Sequence, residues 1–409
     1  MERQSWLRGR TLLLALAALY AALLIAFADL EYKSDSGRYV KFASNLAQGF
    51  YSPREQLDLT NGPGYPLVLA PIALVGLPWF LAKAFNLGFL LGAAAYVMAT
   101  VRLYVPGGRA LLAGAVLGLY PPALVYASSI SSEPITLFLV SGLGYHLCRA
   151  HRDEGWSQVA AAAAFLGYLA LTKIFFGYVI TAALAAAAVV LAWRRTPSAR
   201  RNAAIAAGAL LVCVPWLAYT YSLTGKAFYW GTPGGDTLYW MTSPFPDEYG
   251  DWFAKPRRVA AGAVQQRHAP FIDSMDDLPD DEKDRLYRKK ALEHIRAHPG
   301  KFVRNWLMNV SRMLFNYPYS YTPQKPGTFL YLLPNLIVLP LALGAVPVWA
   351  ARWRRVPAEI WSLGFLIVVS FGGSSLVSAE GRQFMVLLPW VLVCSGFCIW
   401  TQVRWRFAD

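Results

Sequence analysis

Long uncharged apolar blocks dominate this chain and limit what it can fold into. Residues 11–28, TLLLALAALYAALLIAFA, carry no charge over 18 positions, and several later blocks match them. A hydrocarbon core about 30 Å thick takes about 20 apolar residues per helix. Charged residues make up only 15% of the chain, against about 25% in a soluble domain. A soluble globule, a disordered chain and a single-anchor protein are thereby excluded. The expected fold class is an all-α polytopic membrane protein.

Ten spans are expected, at 11–30, 79–103, 110–128, 134–150, 157–172, 174–193, 203–222, 328–350, 357–376 and 384–402. Residues 64–78, GYPLVLAPIALVGLP, are apolar but short. Pro66, Pro71, Gly76 and Pro78 interrupt the helix ladder there, so this block reads as an interfacial or re-entrant segment. Charge supports the count. With ten crossings and the N-terminus inside, the inner loops and span ends hold 16 Lys and Arg, and 18 of the 24 acids fall on the outer side. Short loops rich in Lys and Arg belong in the cytoplasm. The net charge of +14 is therefore a topological signal, and no nucleic-acid partner is expected. Arg3, Arg8 and Arg10 before the first apolar run could open a signal peptide. The run is long and lacks a small-x-small cleavage site, so an uncleaved first helix is expected.

This topology divides the chain into an N-terminal transmembrane module (1–222, with a first outer loop at 31–63), an outer loop domain (223–327) and C-terminal transmembrane helices (328–409). Asp280, Asp281, Glu282 and Asp284 crowd the start of a helix in the long loop, where the dipole favours acids, and His298-Pro299-Gly300 ends it. Phe302, Trp306, Val310 and Leu314 then recur every four residues, with Arg304 and Arg312 off the stripe, as in a helix lying on a membrane surface. Aromatic residues of 228–252 could form a sugar-stacking platform or simply pack. Cys148, Cys213, Cys394 and Cys398 lie in or at the ends of apolar blocks and read as packing residues rather than a metal site.

Three motifs and two lone cations could carry chemistry. Asp35-Ser36-Gly37-Arg38-Tyr39 follows the first span; an acid there could be functional or merely solvated. Asn61-Gly62-Pro63-Gly64-Tyr65-Pro66 fixes a turn. Ser131-Ser132-Glu133-Pro134 places a carboxylate at a membrane boundary, and is also a helix-capping pattern. Lys173 is the one charge between 157 and 193; it is a functional candidate or a snorkelling side chain. Arg382, close to Glu380, starts the last span.

The order of these motifs resembles the GT-C superfamily of polyprenyl-phosphate-sugar-dependent glycosyltransferases, including protein O-mannosyltransferases and the aminoarabinose transferases acting on lipid A. The likeness is best over 1–180, at His298-Pro299 and over 378–390. It implies that Asp35 is the essential first-loop acid, Glu133 the second-loop acid, Lys173 the cation between later helices and Arg382 the cation before the last helix. The second acid of the family motif is Ser36 here, and the Lys before the family's Pro turn is absent. A phosphate leaving group requires cations or a metal, and an acceptor hydroxyl requires a base. The expected assignment makes Asp35 that base with support from Glu133. Lys173 and Arg382, joined by Arg257 and Arg258, would hold the donor phosphate. Arg38, Tyr39, Tyr65 and His298 are the candidate substrate contacts, and 64–78 and 300–314 would flank the prenyl chain. No cofactor is required, although a divalent cation between Asp35 and Glu133 stays open.

The expected partners are a polyprenyl-phosphate-linked sugar, membrane lipid, and a glycan, lipid or protein acceptor. The expected location is a bacterial inner membrane, with both termini cytoplasmic and the site outside. The alternatives are a non-enzymatic lipid-phosphate carrier or flippase, and a catalytically altered pseudoenzyme of the same fold.

Overall fold

The computed structural model describes residues 2–27, 35–105, 108–153, 155–232, 234–253, 263–321, 324 and 326–402. Among them every regular element is helical. The chain forms two compact units, one of Met1–Gly231, Pro334–Ser370 and Met385–Asp409, the other of Thr232–Leu333 and Phe371–Phe384.

The first unit opens with α1 (Glu2–Ala26), α2 (Ser36–Ala47), α3 (Gly64–Val75), α4 (Phe80–Arg102) and α5 (Gly108–Gly118). It continues with α6 (Pro121–Ala127), α7 (Glu133–Arg152), α8 (Trp156–Thr172), α9 (Phe175–Trp193) and α10 (Pro197–Thr224). The second unit contains α11 (Gly235–Met241), α12 (Ala263–Asp273), α13 (Asp280–Ala297) and α14 (Pro299–Phe315). Four more helices complete the chain, namely α15 (Phe329–Ala351), α16 (Ala358–Ser375), α17 (Gly381–Met385) and α18 (Leu388–Phe397), followed by a π turn at 398–402.

Each expected span overlaps one or more helices, with breaks at 119–120 and 386–387. Among the described residues six helices are long and apolar enough to cross a membrane, or seven if α5 and α6, bent by 53°, form one span, against the ten spans expected. The bend has a local cause. Tyr120 precedes Pro121 and is extended at ψ 113°, because a residue before proline avoids the helical region. The expected last span is likewise broken into α17, α18 and the π turn. The block at 64–78 does form a helix, and α3 continues through Pro71. Its 12 residues rise only about 18 Å, well short of the bilayer core. Gly76 ends it at φ +71°, a left-handed conformation that favours glycine.

Small residues set the packing of the first unit. A Cβ on Gly167 would lie 2.8 Å from the Ala209 carbonyl, and one on Gly208 would lie 2.9 Å from Ala163 Cβ, so α8 and α10 approach closely. Gly142 similarly admits the Phe165 ring between α7 and α8. Such stripes are the usual means of helix association in lipid.

In the second unit Tyr239, Trp240 and Phe253 are buried with Phe271, Ile272, Tyr287 and Tyr321 against them. Trp230, in the first unit, is also buried and packs on Gly177. The aromatic segment is therefore mainly core, although Phe228 and Trp252 remain exposed. On α14 the arrangement also differs from the expected stripe. Asn305, Asn309 and Arg312 are fully buried, and the exposed apolar residues are Val303, Trp306 and Leu307.

Arg312 is held by backbone oxygens. It donates to the carbonyls of Ala379, Tyr249, Pro318 and Gly250 and to Asn309 Oδ1, over 2.8–3.3 Å. Asn309 donates to Ser375 and Val377 and accepts from the Ala379 amide. These bonds fix the loop that carries Glu380 and Arg382. All four cysteines are buried and unbridged.

Candidate functional site

Four separate stretches of the first unit meet around the hydroxyl of Tyr39. Asp35 stands at the start of α2, where its carbonyl accepts the Tyr39 amide at 3.1 Å. Its carboxylate makes no capping bond and pairs instead with Arg38. Tyr39 is one turn on, fully buried, with its hydroxyl 2.7 Å from Ser132 Oγ and 3.3 Å from Asn61 Nδ2. Ser132 is the N-cap residue of α7 but makes no side-chain cap, because its hydroxyl is spent on Tyr39. Ser36, at the position of the family's second acid, is buried and donates to the Ile130 carbonyl at 2.8 Å. Two loops distant in sequence are thus fastened together.

Glu133 opens α7, at the positive end of that helix, and is only 3% exposed. Lys173 occupies the break between α8 and α9 in an extended conformation. Its ammonium lies 2.8 Å from Glu133 Oε1 and keeps 26% of its side-chain surface open. A membrane-boundary cation and a buried carboxylate therefore form one pair.

The Gly-Pro-Gly turn explains how this pair is reached. A Cβ on Gly62 would stand 2.1 Å from the Leu171 carbonyl, and one on Gly64 2.4 Å from Thr172 Oγ1. Only glycine lets the turn sit against the end of α8, beside Lys173. The Tyr168 hydroxyl bonds the Gly64 carbonyl at 2.8 Å and holds it there. Tyr65 then stacks edge-on against Tyr39 with centroids 5.1 Å apart.

Electrostatics tie the set together. Burial pushes the Tyr39 phenol above its ordinary range; Lys173 pulls it down, and Glu133 and Asp35 push it up. The two expected carboxylates and one expected cation thus all act electrostatically on one buried hydroxyl. Close by, Asn61 Oδ1, Tyr65 Oη and Asn86 Oδ1 are buried without a hydrogen-bond partner among the described residues. Asn86 and Ser131 are the polar neighbours of the Tyr65 hydroxyl, but neither reaches hydrogen-bond geometry. Buried polar atoms of this kind usually face water or a ligand.

Arg382 belongs to the second unit and pairs with Glu380 at 3.4 Å. His298 is exposed at the junction of α13 and α14. Arg257 and Arg258 lie outside the described residues. Among the described residues no group of three or more His, Cys, Asp or Glu could hold a metal.

Sequence reasoning missed Lys83 and Asn86, one turn apart and buried near the start of α4. Lys83 Nζ donates to the Phe27 carbonyl at 2.6 Å, and Asn86 Nδ2 to the Ser129 and Ser131 carbonyls. A lone lysine in an apolar helix was the available signal.

The fold is similar to that of ArnT from Cupriavidus metallidurans. The apo crystal structure aligns with a TM-score of 0.53 at 14% identity over 98% of this chain. The architecture is accordingly GT-C-like. The chain spans about 60% of the length of that protein. A second ArnT structure, bound to undecaprenyl phosphate, aligns with a TM-score of 0.45 at 13% identity, covering 94% of this chain and 77% of that one. No protein-family profile matches the sequence. No curated protein sequence matches it either.

Proposed function

We propose that this chain is an integral membrane glycosyltransferase that moves a sugar from a polyprenyl-phosphate donor to an acceptor hydroxyl, at the outer face of a bacterial inner membrane with both termini cytoplasmic. The observation that carries this reading is the gathering of Asp35, Tyr39, Glu133 and Lys173 from three stretches of sequence, with the Glu133–Lys173 pair and Asp35 all within electrostatic reach of the Tyr39 hydroxyl. The GT-C-like fold supports it. ArnT has been crystallised with undecaprenyl phosphate, and the proposal extends that carrier class to this chain.

In this reading the acceptor oxygen attacks the anomeric carbon. The bond from that carbon to the phosphate oxygen breaks, the phosphate leaves with the electron pair, and Asp35 takes the acceptor proton. A positioned base of this kind typically contributes about 10²–10⁴ in rate. Arg38, paired with Asp35, holds the carboxylate in position. Lys173 presents the open part of its side chain to the departing phosphate while Glu133 holds its ammonium in place. Arg382 is the second proposed phosphate contact, with Arg257 and Arg258 as further ones, and Tyr65 and His298 contribute to substrate binding.

The test is transfer of radiolabelled sugar from a polyprenyl phosphate by full-length protein in lipid nanodiscs. Asp35→Asn should lose at least 10²-fold in rate with an unchanged melting temperature. Unchanged transfer by that variant would overturn the base assignment. Donor binding by the wild-type protein with no transfer to any acceptor would point to the carrier alternative.

A further inference from the structure

An amphipathic helix on a soluble domain turns its apolar face to the core. Helix α14 does the reverse. Its buried arc is mostly polar, formed by Asn305, Asn309 and Arg312 with Met313 beside them, and its exposed apolar residues are Val303 at 52%, Trp306 at 36% and Leu307 at 51%. The inward arc is not a packing failure, because Asn305 donates to the Met241 and Ser243 carbonyls and Asn309 and Arg312 are bonded as described above. The outward arc therefore needs an apolar neighbour of its own.

Two membrane spans fix where that arc lies. Trp306 Nε1 donates to Ser375 Oγ at 3.0 Å, and Ser375 is the last residue of α16, a span at Ala358–Ser375. At the other end of α14, the carbonyl of its C-cap residue Asn316 accepts from Thr328 Oγ1 at 3.5 Å, and Thr328 lies at the start of the span Pro326–Ala351. These spans are consecutive and run in opposite directions, so the start of one and the end of the next lie at the same face of the bilayer. Trp306 and the C-cap residue Asn316 are thus each bonded to one of these two span ends.

We infer that α14 is an interfacial anchor whose Val303, Trp306 and Leu307 insert into the acyl boundary of the leaflet at the 328/375 face. The occupant is lipid of the surrounding membrane. Tryptophan is favoured at that depth, and interfacial helices bury their apolar face about 5–10 Å into the headgroup–acyl boundary. Arg304, exposed beside this arc, is placed for lipid phosphate. Through Asn309 and Arg312 the same helix also holds the 375–379 segment by hydrogen bonds. The inference is independent of the glycosyl-transfer reading.

Site-directed spin labelling tests it on the full chain in nanodiscs of phosphatidylethanolamine and phosphatidylglycerol. The four native cysteines are buried. Labels are introduced singly as Val303→Cys, Arg304→Cys and Leu307→Cys, all at exposed positions whose substitution spares the buried polar arc. Labels at 303 and 307 should collide with oxygen several-fold more than with a water-soluble nickel complex, and the label at 304 should show the opposite ratio. Equal nickel access at all three positions would overturn the inference. So would spin–spin broadening at 303 and 307, which would assign the face to a second copy of the chain.

Discussion

Removing Lys173 is the sharpest structural test of the cluster. The ammonium and the Glu133 carboxylate are 2.8 Å apart, with the carboxylate 3% exposed. At an effective dielectric of about 20 the Coulomb attraction at that distance is ~6 kcal/mol, offset by the cost of desolvating both ions. Breaking a buried pair from one side leaves an uncompensated charge and costs about 3–5 kcal/mol. Lys173→Met should therefore lower the melting temperature in detergent by roughly 6–10 °C, at about 2 °C per kcal/mol for a protein of this size. The double variant Glu133→Gln with Lys173→Met removes both charges and should recover most of that loss, to within about 1–2 kcal/mol of the unmodified protein. Intrinsic fluorescence melts of the two variants read this directly. A single variant that melts within about 2 °C of the parent, or a double variant no better than the single, would refute the buried-pair argument.

Other outcomes follow from the same geometry. Arg312→Met strands four backbone carbonyls and should cost more than about 3 kcal/mol, seen as faster amide exchange over 249–251 and 375–380. Gly62→Ala drives a Cβ to 2.1 Å from the Leu171 carbonyl and should destabilise by about 1–3 kcal/mol. Gly37→Ala meets nothing within 4 Å inside α2, so it should be neutral or stabilising by up to about 1 kcal/mol; paired melts compare the two. Acid should loosen the second unit. Burial lowers His294 to about 4 from its ordinary 6.5, so the unfolded chain takes the proton first and stability falls as pH drops from 6.5 toward 4. Solvent screening at this half-buried site limits the effect to about 1 kcal/mol. Burial raises Glu248, but hydrogen bonding and charge from His268, with Ser243 and Tyr321, outweigh that and leave it below its ordinary range. Its contribution is present above pH 4.5 and is lost as pH falls through the lowered value. Melts at pH 7 and 5, with His294→Phe flattening the difference, check the histidine part.

Much of the membrane architecture was legible because lipid imposes a length and polarity rule that single sequences obey openly. The expected spans overlap helices, and α13 begins at Asp280 and ends before His298, as its charge pattern and the His-Pro-Gly stop required. Part of the site was legible for a related reason. Asp35, Glu133 and Lys173 stand out where apolar chain meets polar, and boundary charges are few. The partners of those residues were hidden. Ser132 looked like a cap, and only the fold reveals that its hydroxyl serves Tyr39. Lys83 was masked by the apolar residues of α4. Arg312 read as the solvated side of a surface helix, because its partners are main-chain carbonyls, which a one-dimensional string does not display. Of the two readings of the aromatic stretch, packing accounts for Tyr239, Trp240 and Phe253, which are buried at the core of the second unit.

The binding of Arg312 to main-chain oxygens has an evolutionary corollary. Carbonyls are present whatever side chain is attached, so Tyr249 and Ala379 can be exchanged for other residues without forfeiting the contact. The arginine has no such latitude, since lysine lacks the planar fork that reaches several acceptors at once. Drift in this part of the molecule should therefore be generous along the loops and narrow at a single interior position.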